Sequence, residues 1–226
     1  MTSILDRPGW SALTTRHADL AVGNSLARRF GPGISAFAGT LNNEPESLEA
    51  LAALARPGEP MIVAQTGPIG VPRGFRPATI TPLVQMILER PIEPIADPNI
   101  VRLGWPDAEE MFALATFTKP GPFTLKSQAL GGFWGIRDSG RIVAMAGERL
   151  KQPGFVELSG VCVHPDCRGR GLARALSQFV SHQIAAAGDT PYLHTFSGNA
   201  PAISLYESLG FRHRADLTVV AIVPEE

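Results

Sequence analysis

The chain has 226 residues, 44% of them hydrophobic, and a formal net charge of -1. That is core material for one large domain or two small ones, and the balanced charge argues against a general nucleic-acid or membrane-surface binder, so any basic patch should be local. The start, MTSILDRPGW, lacks the basic residues and apolar run of a signal peptide. Cys162 and Cys167, with no second pair, make neither a disulfide framework nor a zinc site, so the expectation is a metal-free cytoplasmic protein with reduced thiols.

In chain order, residues 42–55 (NNEPESLEALAALA) predict a helix, with Asn43 and Glu46 placed as a capping box. Residues 60–67 (PMIVAQTG) read as a buried strand and 78–88 (ATITPLVQMIL) as a second extended piece. His17 stands alone and is read as structural or solvent-facing. The proline-rich run PIEPIADPNI (91–100) can hold neither a helix nor a regular strand. It is placed as a linker, and all three lysines (Lys119, Lys126 and Lys151) fall beyond it. The boundary divides a smaller α/β region, 1–97, from a second unit, 98–226. The first region carries no chemical motif and is expected to be an accessory half that packs on the second, shaping its cleft or building a dimer.

The second unit is patterned more strongly. Residues 105–117 open with Trp105-Pro106-Asp107 and two glutamates, a helix start. Residues 131–150 give two strands joined at Asp138-Ser139-Gly140, and 155–165 a third strand ended by Pro165. A helix from Gly171 to Gly188 carries Leu172, Leu176, Phe179, Val180 and Ile184 on one face. A strand at 191–198, a short helix at 199–210 capped by Asn199, and a strand at 211–223 that closes the sheet complete the order. Together these predict a mixed, mostly antiparallel α/β sheet with helices on both faces.

The chemistry is concentrated in VHPDCRGRGLARAL (163–176), where a strand runs through a glycine turn into a helix. A helix start offers unpaired N–H groups, glycines let an anion approach them, and arginines add charge, so the stretch is suited to a phosphate. A P-loop is excluded because Gly169-Arg170-Gly171-Leu172 lacks the Gly-Lys-Ser/Thr ending. A dinucleotide fingerprint is disfavoured because Arg174 stands where a third small residue is needed. The remaining pattern, Arg168-x-x-Gly171-x-Ala173, is followed by NAPAISLYESLGFRHR. On these two segments, residues 98–223 resemble the GNAT superfamily of acetyl-CoA-dependent N-acetyltransferases, and its FR47-like branch in particular.

The resemblance implies that backbone N–H groups of Gly169, Arg170, Gly171, Leu172 and Ala173 grip a CoA pyrophosphate, with Arg168 and Arg170 adding charge. Val161 and Val163 would contribute their main chain, on a strand that splays from its neighbour and pairs with pantetheine instead. Tyr206, two helical turns from Asn199 on the same face, is the candidate general acid, and Asn199 a candidate contact to the CoA arm. Glu157 is the candidate base for the amine, directly or through water; its structural alternative is a strand glutamate that faces solvent or pairs with Arg149 across the sheet. Arg174 is read as solvated, and His164 and His194 as weaker base candidates. Phe117 and Phe123 in FTKPGPFTL (117–125) are placed as an apolar rim of the acceptor cleft. The expected activity is acetyl transfer to a primary amine through a ternary complex, since neither cysteine stands beside a recognisable histidine base. The rival is a non-catalytic acyl-CoA-binding sensor or scaffold, which would keep the glycine turn but has no need of Tyr206 and Glu157.

Overall fold

A computed structural model describes residues 3–225. In chain order the elements are α1 (Pro8–Thr14), β1 (Ala21–Gly23), β2 (Ala27–Phe30), β3 (Ala38–Thr40), α2 (Pro45–Ala52), β4 (Met61–Gln65), β5 (Phe75–Leu88) and β6 (Ile100–Leu103). Then come α3 (Ala108–Thr118), β7 (Phe133–Asp138), β8 (Arg141–Gln152), β9 (Phe155–Val163), α4 (Leu172–Ala186), β10 (Thr190–Phe196), α5 (Ala200–Ser208) and β11 (Phe211–Pro224). β1, β2 and β3 form a small antiparallel sheet, and the rest form an eight-stranded sheet in the order β4-β11-β5-β10-β9-β8-β7-β6. Within the large sheet β9 and β10 pair in parallel, and every other neighbouring pair is antiparallel.

This order revises the two-unit reading. The proline-rich run is irregular as expected, but it joins β5, deep inside the sheet, to β6 at its far edge. The boundary at residue 97 is therefore no break in the sheet, because the first half supplies β4 and β5. β11 does not close an edge either; it lies between β4 and β5, pairing along the full length of β5 from Phe75 to Leu88. β5 carries Pro77 and Pro82 and still sits inside the sheet. β10 pairs with it only over Leu83–Ile87, so both prolines fall where one flank of β5 is unpaired.

Alternation along β8 shows how the layers form. Ala144 and Ala146 pack into the cluster of α4 and α5, with Leu176, Val180, Ile184 and Tyr206, whereas Met145 packs among Leu103, Met111 and Leu114 under α3. Leu176 and Val180 are fully buried, and each such side chain stabilises the fold by about 1.5–3 kcal/mol. The β7–β8 turn holds Ser139 at φ 52° and Gly140 at φ 82°, the left-handed pair of a tight hairpin. A third cluster joins Leu5, Leu13, Phe30 and Phe37 to Leu150 and Tyr192, tying the N-terminal segment to the middle of the large sheet. The α2 capping box does not form. Asn43 accepts from Gly70 N and donates to Pro68 O, holding a neighbouring loop, and the helix starts at Pro45 without a side-chain cap. Among the described residues no helix is long and apolar enough to cross a membrane.

Removing residues 1–97 would strip β4 and β5 from between and beside β11 and β10. A 98–226 fragment is expected to be insoluble or to lack a cooperative thermal transition, as read by circular dichroism. A soluble fragment melting cooperatively near the intact chain would contradict this topology.

Candidate active site

The two central strands part company at one point. β9 and β10 are paired at Phe155/Thr190, Val156/Pro191 and Tyr192/Glu157, and beyond Glu157 they diverge. Two register irregularities on the β8–β9 side accompany the divergence, one between Glu148 and Lys151 and one between Met145 and Gly147. At the second, three steps on β9 span two on β8, and Gly160 within it adopts φ +64°. Such a bulge bends its strand, which turns the end of β9 away from β10.

A cleft of about 780 Å³ occupies the opening. Val161 and Val163 from β9 face it on one side, and Thr195 and Phe196 from β10 on the other. At its mouth lie Arg168, Gly169, Gly171, Leu172 and Ala173. Gly169 and Gly171 sit at φ +74° and +75°, which is why this turn requires glycine, and a Cβ at either would meet open space. α4 begins without a side-chain cap, and its first internal bond runs from Ala175 N to Gly171 O. The backbone N–H groups of Gly169 through Arg174 therefore have no hydrogen-bond partner among the described residues. With the helix dipole behind them they are suited to an anion. Asn199 and Tyr206 line the same cleft from α5, where Asn199 Oδ1 also caps the helix by accepting from Ala202 N at 3.3 Å. Tyr206 packs its ring edge-on against Phe211, its hydroxyl has no partner among the described residues, and burial pushes the phenol up to about 12.

Two of the expected residues are placed elsewhere. Arg170 points out of the cleft and pairs with Asp138 of the β7–β8 turn at 3.0 Å. Glu157 lies fully buried behind the cleft wall. Its Oε1 accepts from Arg149 Nη2 at 2.6 Å and from the His194 ring at 2.7 Å, and its Oε2 accepts from Arg149 Nε at 2.8 Å. Burial alone would raise this carboxyl, but the Arg149 guanidinium and His194 override it and hold the group far below the usual carboxylate range. A carboxylate so stabilised is a poor base, and the pairing with Arg149 is what the structure shows.

His194 is also committed. Its Nδ1 faces Glu157, and its Nε2 lies 2.9 Å from Gln85 Nε2. Arg214 donates to Gln85 Oε1, which fixes the amide so that its nitrogen donates to Leu5 O and to the ring. His164 stands at the end of β9, stacked on Phe117 outside the cleft. Phe123 packs on Phe133, so the apolar rim is not made by these two phenylalanines. Thr118 to Pro122 supply that side of the cleft instead. His17 is structural: it is buried, with Nε2 2.9 Å from Arg149 O, and burial lowers its ring to about 4.

Sequence reasoning read Arg174 as solvated, whereas it lines the cleft and donates to Ser208 Oγ, and named Arg149 as a partner for Glu157 but not as a cleft residue. It also found no role for Phe37, Ile62, Thr79 and Leu83, which the first half contributes to the wall. Arg174 was legible in the arginine cluster at the helix start; the others depend on strand order, which no local pattern encodes. Among the described residues no group of three or more His, Cys, Asp or Glu is placed to hold a metal.

Comparison with known proteins gives this architecture a family. The family model for FR47-like protein matches residues 133–220, from the start of β7 into β11. A protein from Novosphingobium aromaticivorans assigned to the GNAT family of acetyltransferases is 40% identical over 100% of both chains, with a TM-score of 0.93. The chain belongs to the GNAT family of acetyltransferases. A GCN5-related N-acetyltransferase from Kribbella flavida shares the fold at 18% identity and a TM-score of 0.59, covering 94% of this chain and 91% of that one. A GNAT-family acetyltransferase from Colwellia psychrerythraea does so at 15% identity and 0.56, covering 99% and 98%. No curated protein matches the chain.

The burial of Glu157 makes a direct prediction. Its folded pKa is depressed, so its stabilising effect is present above the unfolded value, about 4.3, and is lost as pH falls below it. Glu157→Gln should cost about 3 kcal/mol of stability at pH 7, because it leaves Arg149 buried without its counter-charge. The gap from wild type should shrink below about pH 4. Chemical denaturation across pH measures both, and an unchanged midpoint at pH 7 would show that the pair is not structural.

Proposed function

We propose that the chain transfers an acetyl group from acetyl-CoA to a primary amine by direct attack within a ternary complex. The observation that carries this reading is the convergence on one cleft of three features: the unpartnered N–H groups at the start of α4, the unpaired flank of β9, and the Tyr206 phenol. The residues present fit a pyrophosphate followed by an extended arm. N–H groups from Gly169 to Ala173 would hold the phosphates, with charge from Arg168 and Arg174 rather than from Arg170. The main chain at Val161 and Val163 would pair with the arm as a further strand does, and Asn199 lies alongside it. When bound, acetyl-CoA supplies the activated thioester.

Tyr206 would protonate the departing sulfur. A phenol at about 12 is a weak donor toward a thiol in water, whose pKa is about 8.5. Burial acts on the sulfur too: Cys162, a thiol lining the same cleft, is pushed up to about 11. Burial in the cleft would raise a bound CoA sulfur in the same direction, toward the phenol, which favours general acid transfer. The amine gives up two protons overall; one is replaced on the sulfur by way of Tyr206, and the other leaves through water. Glu157 and His194, both already bonded, orient the wall rather than accept that proton. The first half of the chain has a share in the site through Phe37, Ile62, Thr79 and Leu83.

Tyr206→Phe keeps the ring against Phe211 and removes the proton. Steady-state thiol release should show kcat lower by about 10²-fold, while calorimetry shows acetyl-CoA affinity nearly unchanged. Wild-type turnover in the variant would remove Tyr206 from the chemistry. Binding of acetyl-CoA without thiol release on any amine would favour the non-catalytic sensor.

A further inference from the structure

The cleft has a second end, beyond the diverging strands, and its charge is one-sided. None of the described residues lining the cleft is an aspartate or glutamate, and the four lining Lys and Arg residues are Lys119, Arg149, Arg168 and Arg174. Arg168 and Arg174 belong to the phosphate end. Arg149 sits deep, at the point where β9 and β10 part, with only 14% of its side chain exposed. Its Nε and Nη2 are spent on Glu157. Its Nη1 has no hydrogen-bond partner among the described residues and is not among the buried unpartnered atoms, so it opens into the cleft. The Gly121 turn stands over it, a Cβ there falling 3.8 Å from Nη1. Phe37 lies flat beneath, with the guanidinium carbon 4.9 Å from the ring centre.

The wall that the first half of the chain contributes to the cleft is largely apolar. Ile62 on β4, Ala221 on β11 and Thr79 on β5 are direct cross-strand partners and form one row of the wall, with Val219 and Leu83 beside it. A buried guanidinium held rigid by Glu157, with a spare nitrogen facing the cleft, is built to receive a carboxylate. A bare ammonium, by contrast, can accept no hydrogen bond from Nη1, and no acid among the described residues lines the cleft to pair with it. Polyamines, aminoglycosides and lysine-rich tails would find no counter-charge among the described residues lining the cleft.

We propose that the acceptor is a free amino acid with an apolar side chain, its carboxylate on Arg149 Nη1 and its side chain against Phe37, Ile62 and Leu83. This inference rests on the acetyl-transfer reading and names the acceptor class for it. Binding by the carboxylate leaves the amine directed back toward the parted strands, where the thioester would lie. It also gives the first half of the chain a chemical task, because three of the four contacts come from residues before 97.

The test compares matched acceptors on the intact protein, following thiol release from acetyl-CoA: leucine against leucinamide and 3-methylbutylamine, with spermidine as the polycation. Leucine should exceed both neutralised analogues by at least about 10²-fold in kcat/KM, as a site built around a polar contact rejects the analogue lacking it. Arg149→Gln should collapse that ratio toward one, whereas Lys119→Ala, which removes the other cation on that rim, should keep it. If the Arg149 variant does not fold, the wild-type ratio and the Lys119 variant still decide. Leucinamide, 3-methylbutylamine or spermidine turning over as well as leucine would overturn the carboxylate site while leaving acetyl transfer standing. Thiol release with other primary amines but none of these four would overturn this inference alone, and no thiol release with any amine would overturn the acetyl-transfer reading as well.

Discussion

A fully buried carboxylate, Glu157, holds the centre of this molecule. It sits on the last residue of β9 that pairs with β10, gripped by Arg149 from β8 and His194 from β10. The chain of contacts continues from His194 to Gln85 on β5, then to Arg214 on β11 and Asp6 near the N-terminus. A buried ion pair is costly to desolvate and is weak evidence for stability by itself. Its effect here is geometric. With His194, Gln85 and Arg214 it ties five strands, β8, β9, β10, β5 and β11, together at the apex of the opening.

From that apex the rest of the site follows. Because β9 is bent by the bulge at Gly160 and β10 continues straight beside β5, the peptide groups of 158–163 have β8 on one flank and a cleft on the other. The chain leaves β9 through Pro165 and the two left-handed glycines, so α4 starts at the cleft's mouth with its N–H groups bare. α5 returns across the same mouth and brings Asn199 and Tyr206. The far wall is laid down by β4, β11 and β5, and the loop at Thr118–Pro122 roofs it.

What could be read in the residues divides along physical lines. The glycine turn, the α4 and α5 spans and the hairpin were legible because each depends on local chemistry: left-handed glycines, a 3.6-residue apolar stripe, an Asn cap. The environment of Glu157 was not, because whether a strand glutamate faces solvent or an arginine depends on two register irregularities and on strand order. Arg170 looked identical to Arg168 in sequence; Asp138, 32 residues earlier, decides between them. The boundary at 97 failed for a related reason. Proline composition reports where regular structure stops, but not that the strand before the break lies in the middle of the sheet formed after it. The wall residues of the first half were invisible on the same account.

The central claim is that the unpaired flank of β9, held open by Glu157 and its partners, is where the acetyl donor binds as an additional strand. Backbone hydrogen exchange, with and without acetyl-CoA, addresses it directly. Amides in 158–163 and at the start of α4, 169–174, should exchange markedly more slowly with the ligand present, while those of β6 and β7 at the far edge stay as they were. Binding that leaves 158–163 unchanged and protects another surface instead would contradict it.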